Sequence, residues 1–257
     1  MITIVVIIIA LIIPGVFNRN LELRKFDRDN TLPLRGFLAL GIIFHHLAEN
    51  YEFGIRIGNH TVSIINLFVD MGTPIVSIFF FMTGYGLAFS LRNKGNDYLK
   101  GFIPSRLGKI LPEFLVLSVI SILIFHNSLS DVAIKLIHGN PPLHYSWFIY
   151  AIIYAYIAFY ISACICHAKT NITLVFFSAI IVFYIAVLKY IEFGGWWFLS
   201  APALVIGYIA AAYEPVITKL MSKKTTIVAI IVFAIISVSF NLLTSRLDTL
   251  ISFVTVI

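Results

Sequence analysis

Eight separate stretches of this chain are apolar over the length of a membrane-crossing helix, and no other feature restricts its fold as strongly. A helix needs about 20 residues to cross roughly 30 Å of hydrocarbon. Runs of that order occupy residues 2–17, 33–48, 72–91, 107–125, 145–164, 171–188, 196–213 and 225–243. They are continuous rather than alternating, which disfavours a barrel of strands of about ten residues. Composition agrees: the chain is 60% hydrophobic and 12% charged, where soluble domains are about a quarter charged. That supply cannot coat a water-facing surface, so a soluble enzyme, a disordered chain and a disulfide-stapled secreted module are excluded. The expected fold class is all-α, a polytopic transmembrane helix bundle of eight spans plus a partial ninth. The ninth, residues 250–257, is too short to cross and reads as a truncated or interrupted helix.

The net charge of +6, from 18 Lys+Arg against 12 Asp+Glu, reflects topology and implies no nucleic-acid partner, because basic residues accumulate in cytoplasmic loops. The first apolar segment has no positive residue before it and no small-residue cleavage site, whereas Arg19, Arg24, Lys25 and Arg28 follow it. It therefore reads as a retained helix with its N-terminus outside. Alternating sides from there, the inner connections carry those four cations, then Arg92, Lys94, Lys100, Arg106 and Lys109, then Lys169, and finally Lys219, Lys223 and Lys224. The outer ones carry Arg56, Lys135, Lys189 and Arg246, so the ratio is thirteen to four with Arg35 at a helix start uncounted.

Within the long apolar run of residues 61–91, Asp70-Met71-Gly72-Thr73-Pro74 marks a break. Residues 62–70 are expected to lie at the outer interface and the span to start at Gly72, with Pro74 tolerated near a helix start. Cys164 and Cys166 are too close in sequence for an ordinary structural disulfide. No metal site is expected: His126, His138 and His144 are spaced by 12 and 6, which fits no ligand pattern. Trp196 and Trp197 read as interfacial belt residues, and Asp70 and Glu113 as interfacial acids.

Ionisable residues inside spans carry the most information, since each costs about 2.5–3.5 kcal/mol at a helix centre on insertion scales. Arg35 begins the second span and His45-His46 lie towards its other end. Arg35 and His46 are separated by three helical turns plus about 20°, so they share one face about 16 Å apart. His45 points roughly 80° away from the Arg35 face. A His46 imidazole suits general-base or nucleophilic work, although Arg and His at span ends also snorkel to the interface. Further along, Phe79-Phe80-Phe81-Met82-Thr83-Gly84-Tyr85-Gly86 offers small residues for close helix packing or for contact with an acceptor. Arg106 and Lys109, one helical turn apart, can grip phosphates or simply obey the charge bias. Trp147 stands at the start of the fifth span, as a belt or site residue.

Together these blocks resemble the acyltransferase-3 family of integral membrane acyltransferases, which includes O-acetyltransferases of surface polysaccharides. Leu34-Arg35-Gly36 followed by His45-His46 is similar to its Leu-Arg-Gly…His opening, with ten residues between Arg35 and His46. The Phe79–Tyr85 block is similar to its Phe-Phe-x-x-Ser-Gly-Tyr block, with Thr83 for Ser, and Arg106…Lys109…Pro112 resembles its basic block, with Lys109 for Arg. The resemblance divides the chain into an extra N-terminal helix with a basic cytoplasmic loop, residues 1–31, and an acyltransferase-3-like membrane domain, residues 32–257. Trp147 is followed by Phe148-Ile149-Tyr150 without the acid of many polysaccharide-modifying members.

What the resemblance implies is transfer of an acyl group, acetyl from cytoplasmic acetyl-CoA, to a hydroxyl of an envelope glycan or lipid-linked precursor in a bacterial cytoplasmic membrane. His46 would be the catalytic residue, and Arg35, Arg106 and Lys109 would hold the donor. His45, Thr83, Gly84, Tyr85 and Trp147 would lie near the site as acceptor contacts or packing. Acetyl-CoA enters as a substrate and no tightly bound cofactor is expected. The expected partners are the lipid bilayer, acetyl-CoA and the glycan or lipid-linked acceptor, with oligomeric state undefined. The rival readings are a transporter or flippase of acyl groups, glycans or lipids, and an inactive structural subunit.

Overall fold

The computed structural model describes residues 28–50, 55–57, 60–62, 65–125, 128–141, 143 and 145–220. The sequence spans at 2–17 and 225–243, the partial ninth helix, His126 and His144 lie outside the described residues. Helix α1 (Arg28–Asn50) is followed by a hairpin of two three-residue strands, β1 (Ile55–Ile57) and β2 (His60–Val62). The strands pair antiparallel with Arg56 opposite Thr61. A 3₁₀ segment (Ile65–Met71) leads into α2 (Gly72–Lys94). The Asp70–Pro74 break is thus where the helix type changes: the α-helix begins at Gly72, while the candidate span reaches back to Phe68.

Short α3 (Phe102–Leu107) precedes α4 (Leu111–Ile124) and α5 (Leu129–Ile137). The chain continues through α6 (Trp147–Ile165), α7 (Thr170–Tyr190), α8 (Pro202–Ala212) and α9 (Glu214–Leu220). Five segments are long and apolar enough to cross a membrane: Thr31–Asn50, Phe68–Leu99, Trp147–Ile165, Thr170–Tyr190 and Gly195–Ala212. They coincide with five of the six sequence spans that fall in described residues. The sixth differs. In place of one helix over residues 107–125, α4 has 14 residues and meets α5 at a bend of 115°. Pro112 sits in the first turn of α4, where its missing N–H costs nothing. At the other side of the bend, Ser128 accepts from the Asp131 amide and donates its own amide to the Asp131 carboxylate, a capping box that fixes the start of α5.

The described residues form two compact units, one of residues up to Pro74 and from Pro215 onward, the other Ile75–Glu214. In the second, α4 and α6 turn mostly small or weakly polar residues inward, beside an occasional phenylalanine, and large apolar ones outward. Helix α4 buries Phe114, Ser118 and Ser121 and exposes Leu115, Val116, Val119 and Leu123. Helix α6 buries Ala151, Ala155, Ala158 and Ser162 and exposes Phe148, Ile157 and Ile161. Water would reject that arrangement, and lipid favours it, because close packing of small residues replaces the hydrophobic effect between helices.

Helices α2 and α8 cross with their backbones in contact. A Cβ on Gly84 would collide with the Leu204 carbonyl, and a Cβ on Gly207 would collide with that of Phe81. Around this crossing, Phe102, Phe159, Phe177 and Tyr208 form a buried aromatic cluster with centroids 5.3–6.2 Å apart. Trp197 is buried and donates its indole N–H to the Gly139 carbonyl at 2.9 Å. Only Trp196 of that pair is exposed, so the belt reading of Trp197 is corrected: a hydrogen-bonding acceptor and the rings of Tyr150 and Phe193 hold it inside.

Candidate functional site

The last turn of α1 concentrates the titratable groups of the first unit. Arg35 and His46 lie on one unbroken helix, so the register that puts them on a common face is present. His45 and His46 stack loosely, with centroids 4.9 Å apart, and Asn50 closes the helix end by donating to the His46 carbonyl at 2.7 Å. The two imidazoles have different surroundings. His45 Nδ1 lies 3.0 Å from the Phe68 carbonyl. A carbonyl only accepts, so this nitrogen carries the proton. Gly72 backs the same ring, since a Cβ there would collide with its Nε2 edge, and Phe44 packs on Phe68 at 5.2 Å. His45 is therefore a latch between α1 and the 3₁₀ segment.

His46 is more open, its side chain 28% exposed against 12% for His45. Its Nδ1 is 3.2 Å from Glu49 Oε2. An ionised carboxylate accepts, which assigns the proton to Nδ1 and leaves the Nε2 lone pair as the basic atom. The same Glu49 oxygen is 3.5 Å from His45 Nε2. Sequence reading assigned Glu49 no role. Its offsets of three and four from His46 and His45, the separations at which helical side chains meet, were the available signal. His45, His46 and Glu49 each offer a ligand atom within 4.8 Å of the others, the one such metal-capable trio among the described residues.

The candidate donor-binding cations have contrasting environments. Arg35 is half-buried, and its Nε is buried with no hydrogen-bond partner among the described residues. In the second unit, Arg106 donates to the Tyr98 hydroxyl at 2.7 Å, and its guanidinium lies 5.7–6.0 Å from the ring centroids of Tyr98, Phe102 and Tyr156. These partners orient the cation without neutralising it, and among the described residues no carboxylate pairs with it at salt-bridge distance. Lys109 is exposed in the turn between α3 and α4.

The remaining sequence candidates are engaged in packing. Thr83 donates to the Phe79 carbonyl of its own helix, and Gly84 makes the α8 crossing. Tyr85 donates to Glu214 Oε1 at 2.7 Å, while Arg92 binds Glu214 Oε2 at 2.7 Å and also the Ala211 carbonyl. Hydropathy alone does not reveal that pairing, because Glu214 is more than 120 residues from Arg92. Trp147 opens α6 and is half-buried, edge-on to Phe148. His138 donates to the Ile134 carbonyl at 2.8 Å, and Cys164 and Cys166 are both free thiols. Asp70 and Glu113 are exposed.

A family model described as an acyltransferase domain matches residues 34–255, a stretch that contains α1 from Leu34 onward and every element after it. Comparison with curated proteins and with solved structures finds no match.

Proposed function

Because the chain belongs to the acyltransferase-3 family, we propose that it transfers acetyl from acetyl-CoA to a hydroxyl of an envelope glycan, or of its lipid-linked precursor, in a bacterial cytoplasmic membrane. The family and the apolar helices together make it a multi-pass membrane acyltransferase. The observation that carries the catalytic assignment is the His46–Glu49 contact at 3.2 Å. With its Nδ1 proton given to Glu49, His46 offers Nε2 to the acceptor hydroxyl. The hydroxyl oxygen attacks the thioester carbonyl while Nε2 takes its proton, the new C–O bond forms, the C–S bond breaks, and the CoA thiolate leaves and is reprotonated from the imidazolium. Glu49 stabilises that transient imidazolium and fixes the tautomer.

Donor recognition is assigned to Arg35, Arg106 and Lys109, whose charges suit phosphate. Support comes from Arg106, which is oriented by neutral aromatic partners, and from Arg35, whose buried Nε has no hydrogen-bond partner among the described residues. Cations on an inner face satisfy the positive-inside rule whatever they do, so the informative change is Arg106→Lys, which keeps charge and topology but removes the planar fork. Calorimetric titration of acetyl-CoA into the detergent-solubilised protein should show binding weakened by about 1–3 kcal/mol, the scale of a hydrogen bond to a charged group. Arg35→Lys should do the same, and unchanged affinity in both variants would remove the phosphate site.

The route also requires the sidedness that the thirteen-to-four distribution of cations implies. A cysteine introduced at Lys94 should be protected from an impermeant thiol reagent in intact cells, and one at Lys135 should be labelled. The opposite pattern would invert the chain and separate donor from acceptor.

A further inference from the structure

His45 spends its Nδ1 proton on the Phe68 carbonyl, so in the neutral imidazole Nε2 carries a lone pair. The nearest carboxylate oxygen, Glu49 Oε2, lies 3.5 Å from it. Two acceptors at that separation repel unless something positive lies between them. His46 Nδ1 stands 3.2 Å from the same oxygen. An ion with tetrahedral bonds of about 2.0–2.2 Å sets its ligand atoms roughly 3.3–3.6 Å apart. Two of the three ligand–ligand separations, 3.2 and 3.5 Å, are therefore at or close to coordination length, and all three atoms fall within 4.8 Å.

The surroundings add a second argument. An imidazole that ligates a metal nearly always donates its other N–H to a carbonyl or carboxylate, which fixes ring and tautomer. The Phe68 carbonyl does this for His45, and the missing side chain of Gly72 makes the room in which the ring sits. Glu49 is 40% exposed, so an ion can enter and leave.

We propose that His45 Nε2, His46 Nδ1 and the Glu49 carboxylate bind a divalent transition ion, with zinc the best match to two imidazoles, one carboxylate and an open fourth position. An ion on His46 Nδ1 takes the place of the proton that Glu49 accepts there. The proton then resides on Nε2, and the basic atom is lost. The site is an inhibitory one, and this consequence rests on the role of His46 proposed above, whereas the binding itself does not.

The test uses tag-free, chelator-stripped full chain in detergent, without acyl donor. It is titrated with Zn²⁺ by calorimetry and with Co²⁺ by visible absorption. One ion per chain is expected. His45→Ala and Glu49→Gln should each weaken binding by at least the roughly 10–100-fold that even an outer-shell partner is worth, while His138→Ala should not change it. Absence of saturable binding, or affinity equal to wild type in both His45→Ala and Glu49→Gln, overturns the site and leaves a proton between His45 and Glu49 instead. Acetyl transfer is measured separately: zinc should suppress it and a chelator restore it, and undiminished transfer with the site filled overturns the inhibition. A chain that binds zinc yet transfers no acetyl when metal-free upholds the site and counts against the acetyl-transfer reading alone.

Discussion

His46→Ala is expected to lower acetyl transfer by about 10²–10⁴-fold, the usual contribution of a positioned general base, with the folded protein recovered at normal yield. His45→Ala should do less to the rate and more to stability, because it removes the hydrogen bond to Phe68 and the ring that fills the space beside Gly72. A net hydrogen bond is worth about 0.5–1.5 kcal/mol, and the vacated ring adds to that. Transfer rates on purified variants, set beside their thermal unfolding in the same detergent, separate the two effects. Equal rates in the two variants would defeat the assignment of His46, since it depends on the two rings having different work.

The largest effect on folding is expected at Gly84→Val. The atoms in the way are backbone atoms of Leu204, which cannot rotate aside as a side chain end can. Helices α2 and α8 would have to separate, and the reciprocal contact of Gly207 with Phe81 would open with them. Overpacking ordinarily costs about 1–3 kcal/mol and occasionally more, and a branched side chain against backbone belongs at the upper end. That is a large share of the roughly 5–15 kcal/mol that holds a domain folded. Gly86→Ala is the internal control, because a Cβ there meets nothing within 4 Å. A Gly84→Val protein that unfolds at the same temperature as Gly86→Ala would show that the crossing is looser than these positions make it.

Hydropathy read well where a span is bounded by polar residues. Lys94, Lys169 and the Asp70–Pro74 break each mark a helix end that the structure places within a few residues. It failed at residues 107–125, where the turn at 108–110 holds a single charge, Lys109, and the stop at Phe125 carries none. The signal that separates α4 from α5 was a pair of short polar side chains, Ser128 and Asp131, and a window averaged over a span cannot register it. The site was legible to a similar depth. Helical periodicity ties Arg35 to His46 and turns His45 away, yet it does not show that His45 is tethered and His46 open. That difference comes from Phe68 and Gly72, more than 20 residues away. The aromatic surroundings of Arg106 were hidden for the same reason, since Tyr156 arrives from a helix 50 residues later.

Helix α4 has a consequence for the lipid around it. Fourteen residues rise about 21 Å at 1.5 Å each, which leaves the helix short of a hydrocarbon layer of about 30 Å. The outward face of Leu115, Val116, Val119 and Leu123 is apolar, so the deficit falls at the ends, where the chain turns through 115° into α5. Crossing by α4 alone would require a thinner bilayer beside it, at a cost of fractions of a kcal/mol per Å of mismatch, whereas α4 and α5 together have the length and hydropathy of one bent span. The other spans among the described residues are 18 residues or longer and carry no comparable deficit. Among the described residues, acyl-chain length in the surrounding lipid thus bears most on the bent pair of α4 and α5, the apolar stretch that does not form one straight crossing helix.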